Sequence, residues 1–259
     1  MPIANVAGTT FNYRFDGPDS SPVLMLSNSL GTNLAMWDPQ IAALSATHRV
    51  LRYDSRGHGQ SQVTPGPYSI EQVARDALQI LDALHIERAS LCGLSMGGMV
   101  GQWLGAHVPQ RLDKLILCNT SALIGPPEIW NARIDAVQEG GMAAIVDAVL
   151  ARWFTAEFRE RAKDTIAATR AMLLASPAEG YVASCVAVRD MDQRASAERI
   201  AVPTLVIAGT HDVATPPADG RFLAERIKGA RYAELPAAHL SNLEAAPAFT
   251  TEVTRFLAT

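Results

Sequence analysis

The sequence has few features that would suit a nucleic-acid or membrane partner. It contains no run of Lys or Arg, and its 22 basic and 26 acidic residues leave a formal net charge of −4 over 259 residues. Clustered positive charge is the usual electrostatic footprint for binding nucleic acid or an anionic membrane. Because that footprint is missing, we expect a small-molecule partner, and neither nucleic acid nor a membrane.

Cysteine is scarce, and a secretion signal is missing. Cys92, Cys118 and Cys185 are odd in number and widely spaced, without a CxxC pair, which argues against a disulfide framework and a thiolate zinc site. No HExxH or comparable cluster occurs, so we expect no metal. Residues 1–16 have neither a basic region nor an apolar run, and we therefore expect a cytoplasmic protein.

Long hydrophobic runs are also rare, and the composition is that of a globular chain. Hydrophobic residues make up 48% and charged residues 19%, which excludes disordered and coiled-coil classes. The longest stretch without Asp, Glu, Lys or Arg, Ala89–Gln110, has the length of a membrane span. It contains five glycines, however, and we expect it to form a buried strand, a turn and a helix.

Short apolar runs alternate with helical patterns along most of the chain. The clearest helix is Ser69–Leu84, where apolar side chains recur every three or four residues behind a Ser69-x-x-Gln72 capping box. This alternation predicts an α/β fold, a mostly parallel twisted sheet with helices on both faces, and Thr9–Phe15 is predicted as an antiparallel addition. The predicted parallel strands are Val23–Leu26, Arg49–Tyr53, Ser90–Cys92, Lys114–Cys118, Thr204–Ala208 and Arg231–Leu235.

The alternation stops after Cys118 and resumes near Ile200. The Ala-rich segment between them has helical patterns and no convincing strand. We therefore predict a core of residues 1–124 and 200–259 with an inserted helical cap of residues 125–199. Ligands of open α/β sheets bind at the carboxyl ends of the strands, so the cap is expected to cover the active site.

The strongest chemical signal is Gly93-Leu94-Ser95-Met96-Gly97, placed between a predicted strand and a predicted helix. A G-x-S-x-G motif in this context forms a sharp, strained turn that exposes a nucleophilic serine, and the flanking glycines avoid collisions with the neighbouring strand and helix. The alternative, a phosphate-binding GxxxxGK[ST] loop, is disfavoured because Met99 and Val100 follow Gly98. We expect no cofactor.

A serine nucleophile needs a base, and where this motif occurs the acid and the histidine follow the serine in chain order. His239 comes just after the last predicted strand, and Ser241-x-x-Glu244 is predicted to fix its loop as a capping box. Asp212 follows the strand Thr204–Ala208 and can orient the imidazole. We therefore predict a Ser95, Asp212 and His239 triad, and we interpret His58 as structural.

The oxyanion formed during acyl transfer needs two hydrogen-bond donors. The N–H of Met96, at the start of the helix after Ser95, is one candidate. The loop after Val23–Leu26 supplies the second in such sheets, and the N–H of Leu30 is our candidate there.

At these residues the sequence resembles the α/β-hydrolase superfamily, and within it the 3-oxoadipate enol-lactone hydrolases of bacterial aromatic degradation. The resemblance covers nearly the whole chain and implies the α/β-hydrolase fold and a cofactor-free lactonase that opens the enol-lactone to 3-oxoadipate. Many relatives carry His-Gly where this chain has Asn28-Ser29. The segments that carry the resemblance are residues 26–32, 36–40, 53–61, 66–68, 92–98 and 239–244.

The implied substrate has a free carboxylate, which an apolar pocket would not accept unpaired. Trp130 and Arg133 are three residues apart on one predicted helix face near the start of the cap. We predict that Arg133 pairs with the carboxylate of this anionic lactone and that Trp130 shapes the wall, with Arg189 as the alternative cation.

Two other functions fit the same residues. A general carboxylesterase or cofactor-free perhydrolase would use the same triad with a neutral, less selective cap pocket. A ligand sensor on this fold would bind without turnover, although binding alone does not need a strained serine. Activity on simple aryl esters that exceeds activity on the anionic lactone would favour the esterase.

Overall fold

The structure, a computed structural model, describes residues 2–259 and contains one eight-stranded sheet. The strand order is β1-β2-β4-β3-β5-β6-β7-β8, with β1, β2 and β4 joined by antiparallel pairing and every other neighbour pair parallel. The strands are β1 Ile3–Val6, β2 Thr9–Asp16, β3 Val23–Ser27, β4 Arg49–Tyr53, β5 Ala89–Leu94, β6 Leu112–Cys118, β7 Thr204–Gly209 and β8 Arg231–Leu235.

All six predicted parallel runs are strands, and the antiparallel placement of Thr9–Phe15 is confirmed by the pairing of β2 with β4. The sequence did not predict β1, which pairs with β2 across the two-residue turn Ala7-Gly8. Both turn residues have positive φ, +48° and +83°, as the common two-residue hairpin turn requires.

Eleven α-helices in residues 2–259 connect or cover the strands. They are α1 Asp38–Leu44, α2 Ile70–Ala83, α3 Met96–His107, α4 Pro127–Gly140, α5 Val146–Trp153, α6 Ala156–Arg161, α7 Lys163–Leu174, α8 Ala178–Arg189, α9 Pro217–Arg226, α10 Ser241–Glu244 and α11 Ala246–Leu257.

The amphipathic pattern of α2 explains its place on the sheet. Ile70, Val73 and Ala77 are buried, as the three- and four-residue spacing predicts. The hydroxyl of Ser69 accepts a hydrogen bond from the Gln72 N–H at 3.1 Å, so Ser69 caps the helix as predicted. One buried residue is unexpected: Asp76 lies on the inner side, where Arg56 pairs with it.

The chain between β6 and β7 contains α4 to α8 and no strand in the residues described, and α4 packs against α8. We call these five helices the cap helices. The division into a core of 1–124 and 200–259 and a cap of 125–199 stays a prediction.

The uncharged stretch Ala89–Gln110 forms β5 and α3, as expected. No single helix of the described chain is long and apolar enough to cross a membrane; α7 and α8 would meet that test only as a pair, and they meet at 93°.

Candidate active site

Ser95 lies at the sharp turn between β5 and α3, at the carboxyl end of a central strand. Its φ of +57° lies in the left-handed region, which L residues adopt only when the surroundings enforce it. Glycine is required on both sides: a Cβ on Gly93 would collide with the backbone of Gly97, and a Cβ on Gly97 would collide with the backbone of Ser27. The turn therefore holds Ser95 in a strained position, as the motif predicts.

Asp212 and His239 are paired. His239 Nδ1 lies 2.8 Å from Asp212 Oδ2, and both side chains are buried. Because a carboxylate can only accept, Nδ1 carries the proton and Nε2 is left free to act as a base. The structure thus brings together the acid and the histidine predicted from their order in the chain.

The carboxylate of Asp212 is held ionised by its neighbours. Burial alone would raise its pKa, but the charge and hydrogen bond of His239, with the bonds from Asn119 and the Thr215 N–H, lower it to about 2. Asn119 Nδ2 donates at 3.0 Å and Thr215 Oγ1 at 2.8 Å. Sequence reasoning missed both residues. Asn119 directly follows β6 and so lies at the same sheet edge as Ser95, which is the only signal that would have found it.

One cavity of about 210 Å³ brings Ser95 and His239 together. Among residues 2–259, Ser95 Oγ forms no hydrogen bond with His239; catalytic hydrogen bonds often close only when substrate is bound. The parts of the chain before β6 and after β7 contribute Ser29, Leu30, Ser95, Val213, Ala214 and His239 to the cavity wall. The chain between β6 and β7 contributes Ile124, Gly125, Ile129, Trp130, Arg133, Val149, Arg152, Trp153, Tyr181 and Val188.

The two candidate oxyanion donors are free. Within the described residues, neither the Leu30 N–H nor the Met96 N–H donates a hydrogen bond to a protein group. Leu30 lines the cavity, and Met96 is the first residue of α3, directly after Ser95. Asn28 joins the loop that carries Leu30 to the start of α3, because its carbonyl accepts from the Gly97 N–H at 3.0 Å. Its Oδ1 also accepts from Trp37 Nε1 at 2.9 Å.

The predicted cap residues lie at the cavity. Trp130 and Arg133 both line it, and the Arg133 guanidinium stacks on the Trp130 ring at 4.6 Å from its centroid. The alternative cation, Arg189, does not line the cavity and pairs instead with the neighbouring Asp190. Sequence reasoning missed Arg152 of α5, which also lines the cavity.

The predicted capping box Ser241-x-x-Glu244 is wrong, although the loop is held. Ser241 Oγ donates to Asn119 Oδ1 at 2.5 Å instead of capping α10. Glu244 accepts from the Ala238 N–H at 2.9 Å and from the N–H and hydroxyl of Thr155. The pattern failed because α10 begins at Ser241 itself, so that Leu240 occupies the cap position. The side chains of Ser241 and Glu244 bond instead to residues outside this helix.

A sequence profile of the α/β hydrolase fold matches residues 22–246, most of the chain. The chain belongs to the α/β-hydrolase family. Its fold class is therefore the one that the sequence predicted.

Two kinds of relative extend this result. The chain is 43% identical over 242 residues to 3-oxoadipate enol-lactonase 2 of Acinetobacter baylyi, covering 93% of this chain and 91% of the relative. It is similar to the crystal structure of the enol-lactonase from Burkholderia xenovorans, with 51% identity, complete coverage of both chains and a TM-score of 0.98. A hydrolase structure from Pseudomonas aeruginosa has 47% identity and a TM-score of 0.97, covering 100% of this chain and 98% of that one. This α/β hydrolase is an enzyme that acts on ester bonds, which disfavours the sensor alternative.

Proposed function

We propose that this α/β hydrolase opens 3-oxoadipate enol-lactone to 3-oxoadipate through an acyl-enzyme, as a cytoplasmic step of aromatic-compound catabolism. Ser95 is the nucleophile and His239 is the general base. Asp212 is the carboxylate that orients His239 and stabilises its positive charge. The observation that carries the proposal is one cavity that contains the strained Ser95, the Asp212-bound His239 and the unpaired cation Arg133. Relatives named enol-lactonases, at 43% and 51% identity, support the choice of substrate.

Acylation uses the free Nε2 of His239. The Ser95 hydroxyl gives its proton to Nε2 as Oγ attacks the lactone carbonyl, and Asp212 stabilises the resulting imidazolium. The tetrahedral oxyanion accepts hydrogen bonds from the Leu30 and Met96 N–H groups. When the carbonyl re-forms, the bond to the ring oxygen breaks and the ring oxygen takes the proton from His239.

The leaving group of a lactone stays attached to the acyl-enzyme and can attack back. An enol leaving group converts to a ketone, which is a poor nucleophile, so the acyl-enzyme persists until water arrives. His239 then removes a proton from water, hydroxide adds to the acyl carbonyl, and collapse releases the acid and returns the proton to Ser95. An enol-lactone is therefore better suited to this mechanism than a simple lactone.

The substrate carboxylate needs a counter-charge inside the cavity. Arg133 is half-buried, lines the cavity and is stacked on Trp130, so its guanidinium is held toward the bound molecule. A planar guanidinium binds a carboxylate through two parallel hydrogen bonds, which also fixes the orientation of the lactone ring.

The first experiment measures ultraviolet loss of 3-oxoadipate enol-lactone, generated in situ, with p-nitrophenyl acetate as a neutral ester. Ser95→Ala is expected to lower kcat by about 10⁶-fold on both substrates because the nucleophile is removed. Ser196→Ala is the control, because this half-buried serine does not line the cavity. Wild-type activity on the ester that exceeds activity on the lactone would favour the general esterase, and an active Ser95→Ala enzyme would contradict the nucleophile.

The second experiment tests the carboxylate partner. Arg133→Met is expected to raise KM for the anionic lactone by about 10- to 100-fold, the effect of losing a charged hydrogen-bond partner, and to change KM for p-nitrophenyl acetate by less than about twofold. Arg189→Met is the matched control, because that arginine pairs with Asp190 outside the cavity. Equal effects on both substrates would show that Arg133 does not bind the carboxylate.

A further inference from the structure

The cavity beside Ser95 contains two positive charges where the proposed substrate needs one. Arg133 comes from α4 and Arg152 from α5, and both are half-buried. No Asp or Glu side chain of the described residues lines this cavity. Neither arginine forms an ion pair within residues 2–259, whereas Arg189 and Arg194 pair with Asp190 and Asp192.

The two guanidinium groups are close enough to act on each other. Burial lowers the pKa of Arg152, and the charge of Arg133 lowers it further. Tyr181, which lines the same cavity, connects them: burial raises the pKa of its phenol, while both arginines lower it. Two like charges in a partly buried site are unfavourable unless an anion lies between them. The chain itself provides no such anion among the described residues.

We propose that this cavity binds small dicarboxylates as dianions, with one carboxylate between Arg133 and Arg152 and the other beside Ser95. The second carboxylate would accept hydrogen bonds from the Leu30 and Met96 N–H groups, which have no protein partner among residues 2–259. That second half rests on the proposed function, whereas the arginine pair does not.

Lactone opening changes the number of carboxylates that the bound molecule presents to this site. Hydrolysis adds water across one ester bond, so a lactone with one carboxylate becomes an acid with two and loses a proton to solvent. The product therefore offers a negative charge both to the arginine pair and to the oxyanion donors, and its two charges balance those of the two arginines. The substrate offers a negative charge to the arginines and only a neutral carbonyl oxygen to the donors. The cavity binds product-like dianions more tightly than the monoanionic substrate, and dicarboxylates act as competitive inhibitors.

The test compares two unreactive probes of equal chain length, adipate with two carboxylates and hexanoate with one. Binding is followed by the fluorescence of Trp130 and Trp153, which line the cavity, and by calorimetry. Wild-type protein is expected to bind adipate at least about tenfold more tightly than hexanoate, because a second charged hydrogen-bonded group is engaged. Adipate is also expected to inhibit p-nitrophenyl acetate hydrolysis competitively.

Variants assign the first carboxylate to the arginine pair. Arg152→Met and Arg133→Met are each expected to weaken adipate binding by about 10- to 100-fold. Arg152→Lys, which keeps the charge, is expected to lose less affinity for adipate than Arg152→Met. It keeps the test valid if Arg152→Met fails to fold. Arg194→Met, a surface arginine paired with Asp192, is expected to bind adipate as wild type does.

Two results would overturn the proposal: equal affinity of the wild type for adipate and hexanoate, or unchanged adipate affinity in Arg152→Met. Because neither probe is turned over, the outcome is separable from the proposed function. Lactone hydrolysis without an adipate preference contradicts the dianion site alone. An adipate preference without lactone hydrolysis supports the dianion site and contradicts the enol-lactonase assignment alone.

Discussion

His58 illustrates how a single buried side chain positions the proposed oxyanion loop. Its Nε2 accepts a hydrogen bond from the Gly31 N–H at 3.0 Å, and its Nδ1 donates to the Arg56 carbonyl at 3.0 Å. The imidazole is therefore neutral, with one nitrogen in each role. Gly31 follows Leu30, so His58 fixes the backbone that carries one proposed donor. The sequence suggested a structural histidine, and these contacts fit that interpretation.

Protonation of His58 would remove the acceptor for Gly31. Burial lowers the pKa of His58 below its usual 6.5, and the Arg56 carbonyl and Asp54 offset this only in part. The unfolded chain therefore binds the proton more readily than the folded protein. Between pH 6.5 and the lower folded pKa, the free energy of unfolding falls as pH falls, by up to about 1.4 kcal/mol per pH unit from this group. Above pH 6.5 the histidine is neutral in both states and contributes no slope.

We expect His58→Gln to flatten this dependence, because the amide does not titrate in this range and its oxygen can still accept from Gly31. The measurement is urea unfolding at pH 5, 6, 7 and 8, with His211→Gln, an exposed histidine, as the control. An identical slope in His58→Gln and wild type would assign the pH dependence to other groups.

Residues near the site differ in how far the sequence revealed them. The sequence predicted Ser95, Asp212 and His239 because the G-x-S-x-G motif and the order serine, acid, histidine are typical of one catalytic mechanism. Asn119 and Arg152 were not, since their roles depend on which elements meet in space: Asn119 touches Asp212, 93 positions away, and Arg152 is one of many charged residues on helical patterns. Only the folded cavity separates Arg152 from the solvated arginines of the cap helices.

At the scale of elements, the short helix α10 joins the His239 loop to the cap helices. Glu244, its last residue, accepts from the Ala238 N–H in the loop and from Thr155, the N-cap of α6. The Leu240 N–H also donates to the Trp153 carbonyl at the end of α5, at 3.1 Å. The His239 loop and the cap helices are thus fixed to each other at α10 and the residue before it.

We expect Glu244→Ala to lower the free energy of unfolding by about 2 to 3 kcal/mol, because the buried N–H of Ala238 and the half-buried N–H of Thr155 lose their acceptor. It should also reduce kcat on p-nitrophenyl acetate, since His239 is one residue from Ala238. Urea unfolding and steady-state kinetics measure both effects.

Glu244→Gln, which keeps one acceptor oxygen, should retain most of the stability and kcat of the wild type. Glu225→Ala, on the exposed side of α9, should change the free energy of unfolding little. Loss of stability with unchanged kcat would limit Glu244 to a role in folding.

At the scale of the whole molecule, the sheet was predictable because buried parallel strands are short, apolar and separated by helical patterns. The strand order was not, since two pairs of neighbours in the sheet, β2 with β4 and β3 with β5, are not neighbours in the chain. The four-residue β1 was also missed, because it is too short for its alternation of exposed and buried residues to be recognised.

The cavity wall divides by origin, and this has a consequence for how the protein can change. The core loops carry Ser95 and His239, whose geometry depends on glycines that cannot be replaced, while α4 and α5 carry Arg133 and Arg152. On the proposed function, substitutions in those two helices change which molecules bind while Ser95 and His239 stay in place. Mutations can therefore alter substrate selectivity and reactivity separately, and related proteins can evolve new substrates while keeping the same reaction.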